Sequence, residues 1–127
     1  MICARTEREK FRQDRLQGIC IAAMIQSQQA WLPELREPID MSAYLQQSFT
    51  NHDLFIAHCA EGEKSGLASQ KNTGNDRLLL IGPEGDFTSQ EIGKAMEKGF
   101  LPVSLGDTRL RTETAGVVGL IYLKSKV

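Results

Sequence analysis

The chain has 127 residues, 41% of them hydrophobic and 24% charged, with 15 basic against 16 acidic side chains and a formal net charge of −1 at pH 7. That length allows one domain with a modest core, the near balance of charge argues against a protein that grips nucleic acid by bulk electrostatics, and no apolar run approaches the length of a membrane span. Cys3, Cys20 and Cys59 are an odd number of cysteines without metal-ligand spacing, so no metal site is expected, and with no secretory signal at the start a reducing, cytoplasmic compartment is expected.

In chain order, Met1-Ile2-Cys3-Ala4 reads as the end of a strand. Arg5 to Arg15 follows, where Arg5, Arg8, Lys10, Arg12 and Arg15 outnumber Glu7, Glu9 and Asp14. It is either a local contact for RNA phosphates or a solvated helix face of mixed charge. From Lys10 to about Gln29, the residues Phe11, Leu16, Ile19, Cys20, Ala23 and Met24 recur at the spacing of an amphipathic helix, in which Cys20 is a small buried hydrophobe, and Pro33 ends the pattern. Leu35 to Met41 is extended around Pro38-Ile39, Ser42 caps a short helix through Phe49, and Leu54 to Cys59 is a strand. Glu61 to Asp76, polar and rich in Gly, Ser, Lys and Asn, is expected to be a mobile surface loop. Alternating helix and strand predict a parallel α/β layer.

The chemistry is concentrated in two loops. Leu78-Leu79-Leu80-Ile81 reads as a buried strand, and it runs into Gly82-Pro83-Glu84-Gly85-Asp86-Phe87, where two glycines permit close backbone approach and Pro83 stiffens the turn. Thr88-Ser89-Gln90-Glu91 is a capping-box pattern that opens a helix, and Gly99 is placed to end it. Leu101 to Leu105 is the next strand, and Gly106 opens the second loop, which continues through Asp107, Thr108, Arg109 and Leu110 to Arg111. Both loops therefore leave the carboxyl ends of strands, where ligands of open α/β sheets lie. Neither a G-x-G-x-x-G fingerprint nor a phosphate-loop Gly-Lys-Ser/Thr is present, which argues against NAD or a nucleoside triphosphate.

The last segment, Ala115 to Leu123, is apolar almost all the way round and carries Gly116 and Gly119. A helix of that kind must be buried, and a subunit interface is a reasonable second surface for it. Thr112, Glu113 and Thr114 have the chemistry to cap its start. Glu84 can bind ligand hydroxyls or anchor its loop. His52 and His58 lie outside the motifs and receive no role.

The pair of loops resembles the SPOUT superfamily of knotted methyltransferases and, more closely, the RsmE family of 16S rRNA (uracil-N3)-methyltransferases, whose signatures run approximately I-G-P-E-G-G-F and L-G-x-x-x-L-R-T-E-T-A. The match covers Leu78 to about Leu123, with weaker counterparts of upstream family stretches in Arg5-Thr6-Glu7-Arg8 and Gln26-Ser27. The resemblance implies a SPOUT-type α/β knot, a parallel sheet whose C-terminal segment is threaded as a trefoil knot, with the N-terminal part truncated and a PUA-like RNA-binding barrel missing ahead of it. It implies S-adenosyl-L-methionine against the backbone of Ile81, Gly82, Glu84 and Gly85 in the first loop and of Leu105, Gly106, Leu110 and Arg111 in the second.

The same resemblance implies 16S rRNA as substrate, with Arg5, Arg8 and Arg109 in contact with RNA, and a homodimer through the C-terminal helix. Arg111 is the expected catalytic residue, because a guanidinium stays charged and forks onto the uracil carbonyls or an adjacent phosphate; a salt bridge to Glu113 is the structural alternative. Three positions depart from the family pattern. Asp86 stands where a second glycine is usual, Thr108 where an arginine is frequent, and Gln29 where the residue is often basic. Two other readings remain, a noncatalytic dimerising nucleotide-binding α/β module and a SPOUT methyltransferase acting on tRNA.

Overall fold

Two short apolar runs start the sheet. Leu54 to Ala57 lies within β1 (His52–Ala57) and Leu78 to Ile81 within β3 (Asp76–Ile81), and the two strands pair in parallel with Phe55 opposite Leu79 and Ile56 opposite Leu80. The computed structural model describes residues 1–5, 13–28, 30, 32–59, 64–70, 73–106 and 110–124. Among these, β2 (Ser65–Gly66) and β4 (Leu101–Ser104) complete a four-stranded, all-parallel sheet in the order β2-β4-β1-β3. The parallel α/β layer read from the sequence is therefore present.

Strand alternation sends side chains to two cores. Ile56 and Leu80 point to the face covered by α2 (Met41–Tyr44) and α3 (Ser89–Glu97), where they meet Met41, Leu45, Phe87, Ile92 and Phe100. Phe55 and Leu79 point to the other face, against Leu67, Val103 and the partly buried Tyr122 and Leu123 of α4 (Thr112–Lys124). Arg77 fastens the far end of α4: its Nη1 donates to the carbonyls of Tyr122 at 3.3 Å and Leu123 at 3.1 Å, and its guanidinium lies 5.4 Å from the Phe55 ring centroid.

The capping box forms as read. The Thr88 hydroxyl accepts from the Glu91 amide at 3.2 Å, the Glu91 carboxylate accepts from the Thr88 amide at 2.9 Å, and Gly99, at φ +95°, follows the helix end. At the N-terminus the strand end is one bridge, in which the Ile2 amide donates to the Ile39 carbonyl at 2.7 Å.

Several expectations are corrected. Asp40, not Ser42, occupies the N-cap position of the short helix, and Ser42 lies inside it. The stretch from Glu61 to Asp76 contains β2 and a 3-10 turn at Leu67–Ser69 whose Leu67 is 1% exposed, because β4 offers a free edge for pairing. Helix α1 (Gln13–Ser27) exists, yet none of its residues is buried and Cys20 is only half-covered. Likewise α4 buries only Ala115 and Gly119 and leaves Val117, Leu120 and Ile121 exposed.

Gly119 is where α4 touches the sheet most closely, because a Cβ there would stand 2.5 Å from Leu79 Cδ2. Replacing it with leucine overpacks the helix–sheet contact, so Gly119→Leu is expected to lower stability by about 1–3 kcal/mol. Gly93 is exposed in α3 and a Cβ there meets no atom, so Gly93→Ala should raise stability by about 0.5–1 kcal/mol. Urea midpoints of the two variants check both signs.

Candidate active site

Three strands end on one edge of the sheet. Beyond them His58 and Cys59 continue β1, the Gly82 loop continues β3, and Leu105 and Gly106 continue β4. Between these segments lies a cavity of about 800 Å³. That volume is within the range of small-molecule sites, and the position beside the central strand is where such sheets place ligands.

The first loop is held from three sides. A Cβ on Gly82 would come within 3.1 Å of the Phe87 ring, so glycine is what lets Phe87 fold back beneath the loop and reach the core at 2% exposure. The Asp86 amide donates to the Pro83 carbonyl at 2.8 Å, closing a turn that puts Asp86 at φ +64°. This explains the departure from glycine at that position: aspartate is one of the few other residues that tolerate the left-handed region. Its Oδ2 then accepts the Cys59 amide at 3.0 Å, tying the loop to the end of β1.

From the second side, the Thr112 hydroxyl donates to the Gly82 carbonyl at 3.1 Å, so the residue that begins α4 ties to the loop. From the third, Arg5 Nη1 donates to the Gly85 carbonyl at 2.8 Å, and a Cβ on Gly85 would meet Arg5 Cβ at 3.1 Å. The Ala4 amide donates to Glu91 at 3.1 Å, through the same carboxylate that closes the capping box.

Of the residues expected to hold a cofactor, Ile81, Gly82, Glu84, Leu105, Gly106, Leu110 and Arg111 line the cavity, whereas Gly85 is turned toward Arg5. Arg111 stands just before α4, where its carbonyl accepts from the Ala115 amide at 2.8 Å. Its side chain is exposed, and among the described residues it has no ion pair, so the bridge to Glu113 is not formed. Arg5 braces the loop with one guanidinium nitrogen, while Arg8, Gln29, Thr108 and Arg109 lie outside the described residues.

The structure adds His58, Cys59, Lys64 and Asp86 to the lining. His58 is half-buried, and its Nδ1 is shielded from solvent without a hydrogen-bond partner among the described residues. Burial first, and then the nearby positive charge of Lys64, hold its pKa below the ordinary imidazole value, against the opposing pull of Asp86. The ring is therefore neutral at neutral pH. The signal that could have found it is position: it directly follows the apolar run of β1 at the carboxyl edge.

Comparison with known proteins fits this geometry. The model of the RNA methyltransferase domain family matches residues 1–124. A ribosomal RNA small subunit methyltransferase E of Synechocystis is 32% identical over 115 residues, which is 88% of this chain and 38% of that protein. The crystal structure of a probable rRNA-methyltransferase from Porphyromonas gingivalis superposes with a TM-score of 0.90 at 36% identity, covering 98% of this chain and 53% of the other. A ribosomal RNA small subunit methyltransferase E from Neisseria gonorrhoeae, solved bound to S-adenosyl methionine, has a TM-score of 0.75 at 26% identity, covering 91% and 51%. The chain thus spans about half the length of the solved proteins it matches, or less for the Synechocystis relative. With its parallel sheet, its two glycine loops and the cavity between them, the chain belongs to the RNA methyltransferase domain family.

Proposed function

We propose that the cavity binds S-adenosylmethionine and that the chain is the catalytic domain of an enzyme that methylates uridine N3 in 16S rRNA. The observation that carries this reading is the cavity itself, walled by both loops at the ends of β1, β3 and β4, with the charged Arg111 on its lining free of ion pairs among the described residues. The donor set fits the group. Ile81, Leu105, Leu110 and Ala115 offer apolar surface to a purine, while the carboxylates of Glu84 and Asp86 suit a cation with amine and hydroxyl donors. The Neisseria relative bound to S-adenosyl methionine supports the same assignment.

When bound, the cofactor supplies an electrophilic methyl on a sulfonium. The protein's part is to hold the base in line and to stabilise the negative charge that develops on it. Arg111 suits that task, because its planar fork can bind a uracil carbonyl and a neighbouring phosphate and cannot lose its charge. Arg8 and Arg109 are proposed to contact RNA phosphates, and Arg5 keeps donors beyond Nη1 for the same purpose. Across the molecule, the exposed apolar face of α4 is proposed to close a two-fold homodimer, with the C-terminal segment threaded through an earlier loop as a trefoil knot. Among the described residues no helix is long and apolar enough to cross a membrane.

Gly106 tests the cavity. It lines the site at φ +141°, a conformation β-branched residues avoid. Gly106→Val should therefore weaken S-adenosylmethionine binding about tenfold or more, as measured by titration calorimetry of a folded variant. An unchanged affinity removes the cofactor from this cavity.

Arg111→Lys separates binding from chemistry. Its cofactor affinity should stay within about threefold, while methyl transfer to 16S rRNA by the full-length protein falls roughly a hundredfold or more, as for loss of an oxyanion donor. Wild-type turnover would make Arg111 structural.

Assembly is read by sedimentation. The wild-type chain should be dimeric at micromolar concentration, and Leu120→Glu, on the exposed face of α4, should make it monomeric.

A further inference from the structure

The proposed reaction leaves one requirement unassigned. Uracil N3 carries its proton at neutral pH, and the nitrogen becomes a nucleophile only when that proton leaves. Some group must receive it.

His58 follows β1 at the middle of the strand edge and lines the same cavity as Arg111. Its Nδ1 is shielded from solvent and, among the described residues, has no hydrogen-bond partner, so a ligand N–H entering the cavity would satisfy it. The titratable and charged groups around it, among the described residues, are Lys64 before β2, Asp86 in the first loop, Cys59 beside it, and Glu84 and Arg111 elsewhere on the lining. Lys64 and Arg111 are cations and cannot accept a proton. Asp86 already receives the Cys59 amide, and Cys59 itself is exposed. Glu84 is exposed and held by an interaction of its own, so among the described residues the neutral imidazole is the acceptor that is both shielded and unpartnered.

Resting on the function proposed above, we propose that His58 Nδ1 is the acceptor of the uracil N3 proton. With the ring in its Nε2–H tautomer, the N3–H bond breaks, its electron pair stays on nitrogen, and the proton moves to Nδ1. The nearby Asp86 carboxylate favours the imidazolium that forms, which then releases the proton to water. The same pair of residues reads the base. Uracil presents acceptor, donor, acceptor along its pairing edge, which matches an acceptor at His58 and a donor at Arg111. Cytosine, with an acceptor at N3 and an amino group beside it, does not match.

Two substitutions test this. His58→Asn places an acceptor oxygen near the position of Nδ1 without its basicity, and His58→Phe keeps a ring without any acceptor. Calorimetry with S-adenosylmethionine should find both variants within about threefold of wild type. A uridine-containing 16S rRNA fragment, titrated in the presence of S-adenosylhomocysteine, should bind His58→Asn within about threefold of wild type and His58→Phe more weakly. Single-turnover methylation by the full-length protein should fall about 10²- to 10⁴-fold in both. The wild-type rate should decline below neutral pH with the same midpoint as the His58 ring signal in an NMR titration, and that acidic limb should vanish in His58→Asn.

The outcomes separate. If the wild type binds cofactor but methylates no uridine, the proposed function falls and this role with it. If the wild type methylates and His58→Asn keeps both rate and acidic limb, only the role of His58 falls. Loss of cofactor affinity in His58→Asn would assign the ring to the cofactor and overturn the proton transfer, and a midpoint that differs between rate and ring signal would do the same without any variant.

Discussion

The bracing of the loop from Gly82 to Phe87 is the constraint on which the site depends. A strand end cannot by itself present a defined surface, since its amides and carbonyls are free to move. Here Asp86 ties the loop to β1, Thr112 ties it to α4, and Arg5 presses on it from the N-terminal segment. Each contact joins elements far apart in sequence, so the loop is rigid only in the folded domain. Phe87 adds an apolar anchor beneath it. A cavity walled by backbone needs that kind of preorganisation, because main-chain groups cannot reorient one at a time to suit a ligand.

The same bracing links the cavity to distant parts of the chain. Glu91 closes the cap of α3 and also receives the Ala4 amide, so the segment that carries Arg5 is registered against the helix that follows the loop. The N-terminal residues therefore sense the first loop directly.

Charge is arranged locally in a chain with a net charge of only −1. Arg111 is exposed and free of ion pairs among the described residues, whereas Arg77 is drawn against Phe55 and the end of α4. Two arginines of identical chemistry thus do different work. One closes a helix end, and the other is left available at the cavity.

Local signals were legible in the sequence because local physics produces them. The capping box at Thr88 and Glu91, the glycine that ends α3, the apolar strands at Leu54 and Leu78 and the two glycine loops all follow from residues within a few positions of one another. Placing both loops at carboxyl ends of parallel strands indicated the edge of the sheet where the cavity lies, and the residues named on its lining came from the family resemblance. What the sequence could not show was partnership across long separations. Nothing local says that Arg5 meets Gly85, that Asp86 takes a glycine's conformation in order to hold Cys59, or that Gly85 turns away from the cavity. His58 is marked in the sequence only by its place after the apolar run of β1, because its shielded nitrogen and its lowered pKa come from burial at the sheet edge and from Lys64, against the opposing charge of Asp86. The exposed faces of α1 and α4 show the complementary limit, since an apolar helix pattern states that a surface must be covered and only tertiary packing decides which stripe the chain covers itself.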